Sequence, residues 1–198
     1  MRRKQEERSE ATRGAIVAAA DQLFAARGFA DASIEDILNA AKVTRGALYH
    51  HFESKADVFL AVFEAREASL TKAIIARAAR ARTSWDRFRA GCRGFLEACL
   101  DPAVQQIILI DAWSVLGFDT IRRIEAKYTY ALLKEGLAAA VRDKEIEVGD
   151  VEVMANFLLG ALSHSAMTIA RADHPRTELA AVQRELDRVL VVLSRMGS

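Results

Sequence analysis

Between Ser33 and Ser54 the chain carries three helix-start signals in close succession. Ser33 with Asp36 and Ser54 with Asp57 both read as capping boxes, and Thr44 between them reads as an N-cap. A helix opened at Ser33 must end before the turn at Ala41–Val43. One opened at Thr44 must end near Phe52. Neither exceeds about ten residues, too short to persist alone in water. They must fold by packing on their neighbours, as short helix, tight turn, short helix. That order and size is a helix-turn-helix.

The rest of the chain reads as helices of ordinary or greater length. The spacing of Ile16, Ala20, Leu23 and Phe24 predicts a first helix over Ser9–Arg27, with Gly28 as its stop. Ser54 opens a fourth helix running to about Arg80. Further starts fall at Ser84 and at Asp101 before Pro102, where proline suits the first helical position. Gly117 separates a helix ending near Leu116 from one over Asp119–Arg142. Asp150 caps a helix to Arg171, Asp173-His174-Pro175 breaks it, and a last helix reaches Arg195. With only two prolines in 198 residues and little period-2 alternation, the expectation is an all-α fold of about nine helices. The expected division is a three-helix domain over 1–54, with a basic arm of Arg2, Arg3 and Lys4, and a larger helical domain over 55–198.

Several function classes fall away. Formal net charge is +1, so any electrostatic footprint for nucleic acid must be local. Cys92 and Cys99 stand two helical turns apart, which suits buried core residues and a reducing cytosol better than a redox or zinc motif. The charged start MRRKQEERSE has no apolar segment of the secretory kind. No apolar run of membrane-span length is evident, and the expected location is the cytoplasm. There is no nucleophile–base pair, phosphate loop or metal set, so neither an enzyme nor a cofactor is expected.

The segment VTRGALYHHF holds the chemistry. At about 100° per residue, Leu48 and Phe52 lie within about 40° of each other and face inward. Gly46 and His50 then lie on the opposite face, with Ala47 and Tyr49 on its shoulders and Arg45 at the first turn. A solvated face would carry Glu, Lys or Gln. Here it offers a cation, bare backbone, a phenol and an imidazole, which suits donors for phosphates and base edges with little bulk between. A tight helix–helix contact at Gly46 is the structural alternative. The adjacent His50 and His51 diverge by about 100° and complete no metal set.

The stretch GFADASIEDILNAAKVTRGALYHHFESKADVF resembles the DNA-binding domain of the TetR family of bacterial transcriptional regulators. The match spans about Thr12–Phe63, on the pattern Thr44, Gly46, Leu48-Tyr49, His51-Phe52 and Ser54-Lys55. The resemblance implies that Ser33, Thr44, Tyr49 and Lys55 contact phosphates of a double-stranded operator. Arg45 is then the expected base reader, on guanine, and Gly46 and Ala47 meet thymine methyls. His50 serves a phosphate or a base edge. His51 is expected to pack, with one nitrogen on a phosphate, and the basic arm either enters the minor groove or only solubilises the terminus.

A single reading helix covers few base pairs, so a homodimer is expected. Leu179, Val182, Leu186, Val189 and Leu193 repeat at three and four residues, and Leu159, Leu162 and Ala166 do so on the preceding helix. The resemblance makes these two helices a four-helix dimer interface. It also implies a small-molecule cavity, for which Phe88, Cys92, Phe95, Trp113, Phe118, Tyr128 and His164 are the candidates. An apolar or aromatic effector is expected. The resulting function is a repressor released from a palindromic operator by a small molecule. The alternatives are a regulator or adaptor controlled by a protein partner, and an activator.

Overall fold

The computed structural model describes residues 2–195, with side chains over residues 5–194, and these residues form only helices, turns and short connections. The side chains of Arg2, Arg3 and Lys4 lie outside the described residues. Two compact units are present, Met1–Arg66 with Pro102–Ile121, and Glu67–Asp101 with Arg122–Ser198. This differs from the expected cut at 54/55. No linker exists there, because α4 (Lys55–Ala78) is one continuous helix that contributes to both units.

In the first unit, α1 (Arg2–Asp31) begins earlier than the expected Ser9, but its path breaks at Gly28, where φ is 76°. Glycine takes that conformation at little cost. Ser33 and Asp36 close their capping box at the head of α2 (Ile34–Ala41). The hydroxyl and amide of Ser33 bonded to Asp36 hold its carboxyl below the usual range against a smaller opposing effect of burial, with the nearby charge of Arg27 helping least. Thr44 Oγ1 accepts from the Ala47 amide at 3.2 Å and so caps α3 (Arg45–His51). Ser54 caps the start of α4, its hydroxyl accepting from the Asp57 amide at 3.1 Å and donating to the Asp57 carboxylate at 2.9 Å.

These caps fix where each short helix starts, and burial fixes how it is turned. Ile16 and Phe24 of α1, Ile37 of α2, Leu48 of α3 and Val58 and Phe59 of α4 are all fully buried. Each contributes about 1.5–3 kcal/mol of apolar transfer. The rings of Phe24, Phe29 and Phe59 meet at centroid distances of 5.3 to 5.7 Å. The Arg66 guanidinium grips Asp21 with two hydrogen bonds, of 2.5 and 2.6 Å, tying α4 to α1.

The later part of this unit is a continuous helical run: α6 (Pro102–Val104), a π-helix (Gln105–Asp111) and α7 (Ala112–Val115). It packs on α1, which is why it joins the N-terminal unit. Asp111 Oδ2 there accepts from the Phe29 amide at 2.7 Å. Gly117, with φ 72°, turns the chain into α8 (Gly117–Glu125), as its sequence position foretold.

The expected helix over Asp119–Arg142 is in fact two. After α8 the chain turns through Tyr128 (φ −124°, ψ −103°), and α9 (Thr129–Arg142) begins afresh. No glycine or proline marks the break. Its cause comes from α4: Glu67, buried, accepts from the Thr129 hydroxyl at 2.7 Å and from the Thr129 amide. A distant carboxylate thus does what an N-cap side chain does elsewhere.

In the second unit α5 (Ser84–Ala98) packs on α9, and both pack on α10 (Val151–Arg171), while α11 (Pro175–Arg195) covers α5 and α10. Phe88, Leu96, Leu137, Leu158 and Leu190 lie in its core. Cys92 and Cys99 are buried free thiols, and burial pushes each up to about 12. One sequence expectation needs correcting here. Helix α10 is long and apolar enough, by length and composition, to cross a membrane, with a mean hydropathy of 1.4 over its best window. Its Ala155, Leu158, Leu162, Ala166 and Ile169 are instead buried inside the helical unit, as in a core helix.

Candidate nucleic-acid interface and effector cavity

On α3, Leu48 is buried, while Thr44, Arg45, Gly46, Tyr49 and His50 are exposed and Ala47 and His51 are half-buried. Outside its own helical turn, nothing among the described residues lies within 4 Å of where a Gly46 Cβ would stand. The tight helix–helix contact considered for this glycine is therefore absent. The Arg45 guanidinium pairs with Glu35 on α2, and both side chains are more than half exposed. The two imidazoles differ as their angular positions imply. His50 and His51 meet edge-on, with ring centroids 5.1 Å apart, and only His51 approaches Phe52. Arg13 covers the Phe52 ring at 5.6 Å.

Three residues expected on phosphates have partners inside the chain, Thr44 as the N-cap already described, Ser33 and Lys55. Ser33 Oγ donates to Asp36 Oδ2 at 2.7 Å and accepts from the Asp36 amide, so its hydrogen is committed to the capping box. The Lys55 ammonium donates to the carbonyls of Phe29 at 2.8 Å, Ala32 at 2.9 Å and Ala30 at 3.4 Å. It has three hydrogens to give. Those carbonyls belong to the end of α1 and the residue beyond it, where helical partners run out. The position thus has a structural task that the spacing of Ser54-Lys55 does not disclose.

The second unit holds an apolar cavity of about 300 Å³ between α4, α5, α9 and α10. Of the seven residues expected to line it, Phe88, Cys92 and Phe95 do. Trp113, Phe118, Tyr128 and His164 do not. Trp113 and Phe118 belong to the N-terminal unit, with rings 6.3 Å apart and Phe118 63% exposed. His164 is exposed on α10, and Tyr128 lies in the turn before α9. The walls that sequence reasoning missed are Ile74 and Ile75 of α4, Thr129, Leu132 and Leu133 of α9, and Leu159 and Leu162 of α10. The only signal for them was helical apolar spacing, which core and cavity share.

The polar groups of the wall are few and mostly engaged. Ser84 Oγ donates to Asp143 and accepts from Arg87 at 2.9 Å. Glu135 pairs with Arg142 at 3.1 Å. Thr129 donates to Glu67, whose carboxyl burial raises to about 7, against the opposing hydrogen bonds from Thr129 and with a smaller push from Glu125. Burial also raises Glu125, partly offset by Arg122.

The apolar stripes expected at a dimer interface also need revision. Leu159, Leu162, Ala166 and Leu179 are buried by their own chain, because the stripe they form faces the core of the unit. Val182, Leu186 and Leu193 are half-buried, and only Val189 of the eight is open, at 52%. The face turned outward carries Val153, Phe157, Gly160, Ala161 and His164 on α10, with Val189 and Val192 on α11. Phe157 is 71% exposed.

Comparison with known proteins agrees with this architecture. Residues 16–62 match the model of bacterial regulatory proteins of the tetR family, and residues 85–193 match that of tetracyclin repressor-like C-terminal domains. The HTH-type transcriptional regulator CymR of Pseudomonas putida is 31% identical over 150 residues, covering 76% of this chain and 68% of the relative. The Transposon Tn10 TetC protein of Escherichia coli is 23% identical over 163 residues, or 82% of each chain. A TetR-family transcriptional regulator from Pectobacterium atrosepticum superposes with a TM-score of 0.81 at 32% identity, covering 95% of this chain and 96% of that one. With reader helix, helical C-terminal unit and relatives in accord, the chain belongs to the TetR family of transcriptional regulators.

Proposed function

We propose that the protein is a homodimeric, cytoplasmic repressor that leaves a palindromic operator when a small apolar molecule enters the cavity of its second unit. The observation that carries the DNA-reading part is the open space at Gly46, beside exposed Arg45, Tyr49 and His50. A glycine that costs helix stability and relieves no contact within the chain makes sense where another surface must approach the backbone. Arg45 reads guanine, and Thr44, Tyr49, His50 and His51 hold phosphates or base edges. Ser33 reaches a phosphate only through whatever its capping box leaves free. Lys55 acts indirectly, by fixing the end of α1.

Two copies pair through the outward face of α10 and α11, centred on Phe157. Symmetric pairing sets two α3 helices for successive major-groove faces, about 34–36 Å apart. An effector that prefers a dimer with another spacing weakens operator binding by linkage. The cavity favours this reading over control by a protein partner, since a regulator of that kind needs no apolar space at its centre. Relatives are named as regulators and, in one case, a repressor, which favours repression over activation.

The test is fluorescence anisotropy on DNA flanking the protein's own gene, with footprinting to define the site. A protected palindrome and a Kd that weakens steeply with salt are expected. Absence of any site preferred over random duplex sinks the reading.

A further inference from the structure

Among the polar groups of the cavity wall, the Thr129 hydroxyl is the one tied to a buried carboxyl group from another helix. Thr129 lines the cavity, and its hydroxyl donates to Glu67 Oε2 at 2.7 Å. A hydroxyl has one hydrogen and two lone pairs. Above about pH 7, where Glu67 is ionised, that hydrogen is committed to a carboxylate, and Thr129 has only lone pairs left for anything inside the cavity. Neighbouring polar groups offer no competing anchor of the same kind. Ser84 is engaged by Asp143 and Arg87, and Glu135 by Arg142. Arg87 also lines the cavity, and its guanidinium is drawn toward the Ser84 hydroxyl at 2.9 Å and the Arg82 carbonyl at 3.5 Å. The remaining wall is aliphatic, aromatic or thiol, including Ile74, Phe88, Cys92 and Leu132.

We propose that the Thr129–Glu67 pair makes the cavity selective for apolar molecules bearing a hydrogen-bond donor, such as a hydroxyl or amine, over isosteres that only accept. This rests on the cavity being the effector site and names the chemistry it selects. A carbonyl or ether oxygen placed against Thr129 meets lone pairs, and loses its own hydration without replacement. A hydroxyl in the same place completes a chain from ligand to Thr129 to Glu67. Sites built to bond a polar group discriminate strongly, because the mismatched ligand leaves buried groups unpaired.

The probes are 1-(4-butylphenyl)ethanol and 4-butylacetophenone, which share a shape and differ in donor against acceptor. Their Kd values for the full-length protein are measured by calorimetry without DNA at about pH 8.5, where Glu67 is a carboxylate. The alcohol is expected to bind about tenfold tighter than the ketone. Thr129→Val should bring the two within about twofold. Glu67→Gln should narrow the gap as well, because the amide can donate to Thr129 and free its hydrogen to face inward. Should Thr129→Val fail to fold, Glu67→Gln carries the test. Equal binding to the natural chain, a gap that survives both substitutions, or no binding of either probe overturns the proposal. Release from operator is measured separately with the alcohol. Tight, donor-selective binding that leaves operator affinity unchanged would support the proposal and refute effector control.

Discussion

The Lys55 ammonium lies 2.8 Å from the carbonyl oxygen of Phe29 and 4.3 Å from the centre of its ring. The same peptide segment is held from its other side, where the Phe29 amide donates to Asp111. Phe29 is thereby fixed just after the break at Gly28, at the point where the chain leaves α1 for α2 and α3. Lys55→Ala should lower the stability of the N-terminal unit by about 2 kcal/mol, the scale of lost charge-assisted bonds and a partly shielded cation–π contact. Thermal melts would show this directly. The salt dependence of operator binding should keep its slope. A slope reduced by about one with an unchanged melting temperature would instead put Lys55 on a phosphate.

Arg45 is paired with Glu35 in the free protein, so reaching a base requires that exposed ion pair to open. Arg45→Ala should relax preference at one or two operator positions by about 1–3 kcal/mol. Glu35→Gln should tighten binding modestly across sequences by removing the competitor and a negative charge. Binding measured on a panel of single-base operator variants separates the two outcomes. A uniform loss in Arg45→Ala would rule out base reading.

Glu67 gives the stability of the second unit a pH dependence. Its carboxyl is raised by burial from 4.5 to about 7 in the folded chain. The folded state therefore holds the proton more tightly than the unfolded state between those values, and stability falls as pH rises through that window. The contribution is about 3 kcal/mol, levelling off above pH 7. Glu125, also raised, tilts in the same direction. Denaturant melts from pH 4.5 to 8 should show the decline, and Glu67→Gln should flatten it. A slope unchanged in the variant would mean that other groups cause it.

Phe157→Glu should turn a dimer into monomers, since the side chain is open on the outward face of α10. Sedimentation equilibrium gives the answer, and operator affinity should fall with the loss of the second reader. Leu162→Glu, on the opposite side of the same helix, should unfold the second unit instead. If Phe157→Glu remains a dimer of unchanged strength, the pairing face lies elsewhere.

How much of this was legible in advance follows from where each cause lies. Ser33, Thr44 and Ser54 cap from within their own turns, so sequence alone located α2, α3 and the start of α4. The break before Thr129 was invisible because its cause, Glu67, is distant in sequence. Helix α10 has two apolar sides, one around Leu158 and Leu162 and one around Val153 and Phe157. Periodicity reveals each stripe but cannot say which one the chain covers itself. Trp113 and Phe118 flank the helix break at Gly117, and their position in the chain does not disclose that they pack in the other unit from the cavity. Phe88, Cys92 and Phe95 share one cavity wall because α5 has one clear apolar face, and that face is legible from spacing.

The vacancy at Gly46 has an evolutionary consequence. Alanine would fit there without crowding any described residue outside its own turn, and would strengthen α3 by about 1 kcal/mol. A laboratory population selected only for heat tolerance should therefore drift to alanine at this site, gaining robustness while losing grip on its operator. One codon thus records a standing conflict between endurance and recognition.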